Sequence, residues 1–272
     1  MNVTKDGFKD RQLHIEDYLQ MVSAEQKEYA EVSAHQRITE NNDIITDFQT
    51  DNLMEQILHK DNLNKAYKKV KSNKGAGGVD GMSVDELLGF LKDNQEQLIQ
   101  QIKDGKYKPN PVRRVEIPKE TKGEFRKLGV PTVVDRVFQQ AITQILTPIY
   151  EKQFSEDSFG FRPNRGAHDA LKQCQTNVND GYVYVVDMDL EKFFDTVCQS
   201  KLIEVLSRTI KDGRVISLIH KYLNAGVISR GMFEKTEVGM PQGGPLSPLL
   251  SNIMLNELDK ELTRRGHRFV RY

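Results

Sequence analysis

Residues 182–189 constrain the fold more than any other part of the sequence. The run reads Tyr-Val-Tyr-Val-Val-Asp-Met-Asp and is rich in β-branched and aromatic side chains, which are typical of β-strands. We therefore predict a strand here. Because side chains alternate across a strand, Asp187 and Asp189 are expected on one face, at the end where Leu190 leads into a helix.

Helical periodicity occupies other segments. Apolar residues recur every three or four positions in 53–70 and again in 134–146, which predicts two amphipathic helices. Ser83 and Glu86 have the spacing of a capping box and predict the start of another helix. Residues 112–130 alternate and contain a Lys-Gly turn, so we predict a basic hairpin. Helices and strands together predict an α+β fold.

Two glycine-rich segments interrupt these patterns. Residues 75–81 do not fit a phosphate-binding motif, and we interpret them as a tight connector. The glycines and prolines of 239–248 predict a rigid loop that leads into a helix, with Ser247 as its N-cap and Pro248 in its first position. Gln242 supplies the side-chain amide of that loop. A simple connection between packed elements is the alternative interpretation.

Charge is distributed unevenly along the chain. The net charge is zero, but 101–130 contains nine basic and four acidic residues. Such a patch suits a polyanion such as nucleic acid, although a solvated charged surface is an equally good explanation. No run of about 18 apolar residues occurs, and the N-terminus has no secretory pattern. We therefore predict no membrane association and a cytoplasmic location.

Metal chemistry is indicated weakly by spacing alone. The two cysteines and six histidines form no zinc-binding pattern. Asp187 and Asp189 present paired carboxylates, and hard oxygen ligands of this kind suit magnesium. Ordinary surface aspartates explain an Asp-x-Asp pair at least as well. Two-metal phosphoryl transfer would also require carboxylates from more than one segment.

Five segments, taken in order, resemble the motifs of reverse transcriptases (maturases) encoded by bacterial group II introns. Residues 189–197 resemble the first catalytic-aspartate motif, and 239–252 resemble the motif built around Pro-Gln-Gly. The remaining three segments resemble the N-terminal extension and finger motifs of that family: 75–81, 126–131 and 159–165. The resemblance covers about residues 51–272, the front part of the polymerase region.

The resemblance implies a right-hand polymerase fold with fingers, a partial palm and a helical N-terminal extension. We expect a polar acidic extension in 1–50, a helical extension in 51–110, fingers in 111–180 and a partial palm in 181–272. Family members continue past the position of Tyr272 with Ala-Asp-Asp, a thumb and a maturase domain. We therefore expect the chain as given to be catalytically incomplete.

The resemblance also implies roles for individual residues. Asp189 would be the catalytic aspartate and, with the carbonyl of Leu190, a ligand of Mg²⁺, whereas Asp187 would be a neighbour only. Four residues would bind the nucleotide, and Phe194 among them would exclude a 2′-hydroxyl: Lys119, Arg126, Phe194 and Gln242. Six residues would contact the RNA template: Arg113, Arg114, Lys127, Arg162, Pro241 and Gly243.

The implied function is RNA-directed DNA polymerisation. The parent protein would bind intron RNA and copy RNA into DNA by magnesium-dependent nucleotidyl transfer. Its partners would be group II intron RNA, an RNA template with a DNA primer, and a deoxynucleoside triphosphate, with a homodimer as one candidate assembly. The alternative is an intron RNA-binding splicing cofactor without polymerase activity. Substitution of Asp189 separates the two, because only a polymerase requires that carboxylate.

Overall fold

The computed structural model describes residues 52–118 and 125–272. These residues contain nine helices and four strands, in agreement with the predicted α+β class. The described residues belong to one compact unit. The division into a helical extension, fingers and partial palm stays a prediction, and the acidic extension 1–50 lies outside the described residues.

Along the described part of the chain, three helices are followed by two strands, five helices, two further strands and a last helix. The helices are α1 (Leu53–Ile57), α2 (Lys60–Ser72), α3 (Leu87–Lys103), α4 (Val133–Glu151), α5 (Ala167–Asn179), α6 (Phe193–Thr196), α7 (Gln199–Thr209), α8 (Gly213–Leu223) and α9 (Ser247–Arg264). The strands are β1 (Val112–Pro118), β2 (Phe125–Val130), β3 (Val227–Ser229) and β4 (Met232–Glu234).

The four strands form one mixed sheet in the order β2-β1-β3-β4. β1 and β2 pair antiparallel from Arg113 opposite Val130 to Pro118 opposite Phe125, which confirms the predicted hairpin. The turn of this hairpin lies outside the described residues. β1 also pairs parallel with β3, and β3 pairs antiparallel with β4. The sheet thus joins distant parts of the chain.

Helix α4 lies at the centre of the core. Its N-cap is Thr132, whose hydroxyl oxygen accepts a hydrogen bond from the backbone N–H of Asp135. Twelve of its residues are buried, Ile142 and Leu146 completely. The amide side chain of Asn62 in α2 donates to the carbonyl oxygen of Ala141 at 3.1 Å. The predicted helix in 134–146 is therefore present and packed against α2. The single helix predicted in 53–70 is instead divided into α1 and α2, because the chain turns at Leu58 and His59, the C-cap of α1 and the N-cap of α2.

Two helix starts differ from the predicted caps. The predicted contact between Ser83 and Glu86 is present, since the backbone N–H of Ser83 donates to the Glu86 carboxylate at 2.8 Å, but α3 begins only at Leu87, with Glu86 as its N-cap. Ser247, the predicted N-cap of α9, is instead its first residue, and Leu246 occupies the cap. The hydroxyl of Ser247 donates to the carbonyl oxygen of Pro241 at 2.5 Å, so the serine stabilises the preceding loop.

The strand predicted for 182–189 is wrong. The structure assigns no strand there, and large side chains stand in solvent, with Tyr184 96% exposed and Val186 81% exposed. A strand requires a hydrogen-bonded neighbour as well as β-branched residues. None of the described strands pairs with this segment. The expectation that Asp187 and Asp189 share one strand face therefore has no support.

No helix in the described ranges is long and apolar enough to cross a membrane. The predicted cytoplasmic location is untested and stays a prediction.

Candidate nucleotide and nucleic-acid site

The loop 239–246 is attached to the segment that carries Phe194. The backbone N–H of Met240 donates to the carbonyl oxygen of Phe194 at 2.7 Å, and that of Gly239 donates to Val197 at 2.8 Å. Gly239 has a φ of +83°, and a Cβ there would lie 2.8 Å from the Phe194 carbonyl oxygen. Only glycine combines this backbone conformation with so close an approach.

The other side of the same loop is attached to the hairpin. The backbone N–H of Gly129 in β2 donates to the carbonyl oxygen of Gln242 at 2.7 Å. Gly243 has a φ of +119°, and a Cβ there would lie 2.8 Å from the Gly129 carbonyl oxygen. The loop thus brings three separately predicted segments together: 126–131, 189–197 and 239–252.

Phe194 lies in α6 beside this loop. It is half-buried, and its ring packs edge-to-face against that of Phe193, with 5.6 Å between the ring centroids. Gln242 is also partly exposed. Both predicted nucleotide-binding residues are therefore accessible from solvent and connected through Met240 and Pro241. In this arrangement, Phe194 and Gln242 can form one wall of a nucleotide-binding site.

The cations of the hairpin are divided between its two faces. Directly paired residues of adjacent strands have side chains on the same face. The register pairs Ile117 with Arg126 and Glu116 with Lys127, so Arg126 shares a face with Arg113, and Lys127 shares the opposite face with Arg114. Arg126 and Lys127 are exposed. Lys119 lies outside the described residues, and its predicted role is untested.

The side chain of Arg113 forms hydrogen bonds within the protein. Its guanidinium donates twice to the carbonyl oxygen of Gly77, at 3.1 and 2.9 Å, and Arg136 donates to the neighbouring Ala76 at 2.5 Å. A Cβ on Gly78 would lie 2.6 Å from Thr132 Cα. The segment 75–81 is therefore a tight connector, as predicted, held by two arginines.

Arg162 is buried. Its side chain is 2% exposed and forms an ion pair with Glu151 at 2.9 Å. Its guanidinium also donates to the carbonyl oxygens of Ser155 at 2.5 Å and Ser158 at 2.8 Å. Each nitrogen of the guanidinium therefore has a protein partner, which indicates a structural role. The predicted template contact is untested and stays a prediction.

Asp189 and Leu190 are exposed in a segment without regular secondary structure. Across the described ranges, no group of three or more His, Cys, Asp or Glu side chains is arranged to hold a metal ion. One exposed carboxylate and one carbonyl oxygen are hard ligands, but divalent cations require about six. The described residues therefore do not form a complete metal site.

The comparisons with known proteins agree with this assembly of motifs. Residues 117–272 match the family described as reverse transcriptase (RNA-dependent DNA polymerase). The chain belongs to the reverse transcriptase family. Members of this family generally use divalent metal ions and act on nucleic acid.

The relatives of this reverse transcriptase include a protein encoded by a group II intron. The group II intron-encoded protein LtrA of Lactococcus lactis subsp. cremoris is 39% identical over 236 residues, which cover 87% of this chain and 39% of the relative. Protein YkfC of Escherichia coli K12 is 39% identical over 219 residues, which cover 78% of this chain and 57% of the relative. The chain spans 39% and 57% of these two relatives.

A solved structure supports the fold of this reverse transcriptase. A chain of the partial Cas6-RT-Cas1–Cas2 complex matches with a TM-score of 0.54 and 24% identity, over 80% of this chain and 36% of that chain. At this identity the match concerns the fold alone. The predicted polymerase-type α+β fold is therefore confirmed.

Sequence reasoning missed Gln199. This residue opens α7 and is buried, and its side-chain Nε2 donates to the carbonyl oxygens of Gly239 at 2.9 Å and Leu223 at 3.2 Å. A glutamine in the first turn of a helix carries no motif that would distinguish it. Its two acceptors lie 24 and 40 residues away, so spacing could not reveal the contact.

Proposed function

We propose that this chain is part of an RNA-directed DNA polymerase of a group II intron, which copies RNA into DNA. The observation that carries the proposal is the attachment of the loop 239–246 to both Phe194 and Gly129. It joins the segment of the predicted catalytic aspartate to the hairpin of the predicted triphosphate contacts. Membership of the reverse transcriptase family and the intron-encoded relatives support the same activity.

In this proposal each group has a limited role. The exposed guanidinium of Arg126 would compensate the charge of the triphosphate. Phe194 would pack beside the sugar, and Gln242 would orient the nucleotide and template. Arg114 and Lys127 would contact the RNA backbone from the opposite face of the hairpin.

We propose Mg²⁺ as the cation, with Asp189 and the Leu190 carbonyl as two of its ligands. When bound, it would neutralise charge that develops on the transferred phosphoryl group. The other ligands would be the aspartates that follow the matching tyrosine in family members. A deoxynucleoside triphosphate, an RNA template and a DNA primer are the proposed partners, and a homodimer stays a candidate assembly.

Primer extension tests this function. We would compare the 272-residue chain with a version that carries the family's Tyr-Ala-Asp-Asp continuation and thumb, on an RNA template with Mg²⁺. Extension by the longer version is expected. A folded longer version that binds RNA and never extends the primer would contradict the proposed polymerase activity.

A further inference from the structure

Gln199 is hydrogen-bonded to Gly239, the residue at which the loop 239–246 begins. It is not one of the residues proposed to contact the nucleotide. The side chain is 6% exposed. Its Nε2 donates to Gly239 at 2.9 Å and to Leu223 at 3.2 Å. Both N–H groups of the amide are therefore satisfied, and each joins α7 to a different segment.

The Gly239 carbonyl oxygen is the point at which this contact acts on the loop. Gly239 donates its own N–H to Val197, and the following N–H, of Met240, donates to Phe194. Three consecutive polar groups of the loop are thus fixed by the segment 194–199. A buried carbonyl that loses its donor keeps the full cost of its desolvation, so the loop would move to recover a partner.

A shift of Gly239 would affect both segments to which the loop 239–246 is attached. In α6, the carbonyl oxygen of Phe194 would lose the hydrogen bond from Met240 that fixes this helix. At the hairpin, only Pro241 separates Met240 from Gln242, whose carbonyl oxygen accepts a hydrogen bond from Gly129. Proline restricts the backbone between these anchors, so a shift at one end would displace the other.

We propose that Gln199 is a positioning residue of the nucleotide site: by holding Gly239, it fixes the distance between Phe194 and the hairpin strand β2. This inference rests on the proposed polymerase function. Gln199 touches neither nucleotide nor metal in this scheme, and it acts through the loop. Its loss would change sugar selectivity and nucleotide KM more than it changes folding.

Thr236 provides a matched control. Its hydroxyl donates to the same Leu223 carbonyl oxygen, at 2.8 Å, but forms no bond with Gly239. Thr236→Val removes this bond to Leu223 and also the bond that the Thr236 hydroxyl oxygen accepts from the backbone N–H of Gly226 at 3.3 Å, and it leaves the loop attached. Gln199→Met keeps the side-chain volume and removes both bonds. Gln199→Glu is a second variant of the same shape without the Nε2 donor.

The first measurement is amide hydrogen exchange of the 272-residue variants. We expect the Met240 and Gly129 amides to exchange about tenfold faster in both Gln199 variants, the equivalent of one lost hydrogen bond. The same amides should keep wild-type rates in Thr236→Val. Equal rates in the Gln199 and Thr236 variants would overturn the proposed attachment.

The second measurement is single-nucleotide extension by the longer, polymerase-competent version. The Gln199 variants are expected to raise the KM for the deoxynucleotide and to accept ribonucleotides more readily, whereas Thr236→Val should match wild type. Wild-type discrimination in an active Gln199→Met enzyme would overturn the positioning role. A wild type that incorporates nothing would refute the polymerase function instead, and hydrogen exchange would still decide whether Gln199 holds the loop.

Discussion

The backbone N–H of Gly129 donates to the carbonyl oxygen of Gln242, with 2.7 Å between nitrogen and oxygen. The two residues are 113 positions apart in the sequence, and neither side chain takes part in this bond. The contact joins the basic hairpin to the loop 239–246. It requires a close approach of two backbones, which explains why glycines occur on both sides of it.

Gly243→Ala is expected to destabilise the protein. Alanine would have to adopt a φ of +119° and place its Cβ 2.8 Å from the Gly129 carbonyl oxygen. We expect a loss of roughly 2 kcal/mol in the free energy of unfolding, measured with urea, because such backbone conformations are costly. Gly89→Ala is the control: Gly89 lies in α3 with open space around it, so this change should stabilise by about 0.5 kcal/mol. Equal effects would contradict the assigned backbone strain.

Arg162→Ala is expected to act on folding and not on RNA binding. The substitution leaves Glu151 and two carbonyl oxygens without their donor, at a cost of roughly 3 kcal/mol. Arg126→Ala removes an exposed arginine and should change stability by less than about 0.5 kcal/mol. Urea unfolding and RNA affinity per folded molecule check both. If a stably folded Arg162→Ala variant binds RNA more weakly than wild type, the predicted template contact is supported and the structural role is contradicted.

The sequence predicted local structure best where the signal was local. The contact between Ser83 and Glu86, the helix in 134–146 and strand β1 depend on neighbouring residues, and all three are present. The helical pattern of 53–70 is divided into α1 and α2. The strand at 182–189 failed because strand formation depends on a partner, which a single segment does not encode. The burial of Arg162 could not be predicted for the same reason, since Glu151 reaches it only through the fold.

The candidate site was predicted as a set of motifs but not as a geometry. Nothing in the spacing of 126–131 and 239–252 indicates that Gly129 and Gln242 are hydrogen-bonded. The placement of Arg113 and Arg114 on opposite faces follows from alternation within β1, whereas the face on which Arg126 lies is known only from the register of β1 and β2. Long-range backbone contacts such as these arise from packing, which is why Gln199 was overlooked.

Asp212 gives a prediction for pH dependence. It caps α8 and accepts hydrogen bonds from the backbone N–H of Met54 at 3.0 Å and from Arg214 at 2.9 Å. Burial alone would raise the pKa of this carboxyl, but the hydrogen bonds from Arg214 and Met54 outweigh burial and lower its pKa below the ordinary value. A carboxylate with a lowered folded pKa stabilises the protein above its unfolded pKa of about 3.9.

Asp212→Asn should therefore be less stable than wild type at pH 7, by roughly 2 kcal/mol. The difference should shrink as the pH falls below about 4 and through the lowered folded pKa, because wild-type Asp212 then also loses its charge. Urea unfolding at pH 7 and pH 3 measures this. Asp85→Asn, at an exposed position, is the control and should show no such dependence. A constant difference between the two pH values would contradict the role of ionised Asp212.

Asp189→Asn is expected to abolish nucleotide incorporation by the version with the Tyr-Ala-Asp-Asp continuation while leaving stability unchanged. Asp189 is exposed, so its carboxylate contributes little to folding, whereas a neutral amide is a poor ligand for a divalent cation. Asp187→Asn is the matched control, because Asp187 is also exposed, lies two residues away and is assigned no ligand role. Primer extension and RNA binding are measured on both variants.

If Asp187→Asn abolishes extension and Asp189→Asn does not, the assignment of the catalytic aspartate is wrong. If RNA binding also disappears in Asp189→Asn, the carboxylate serves the fold or the RNA surface, because a residue that acts only in the chemical step leaves binding intact.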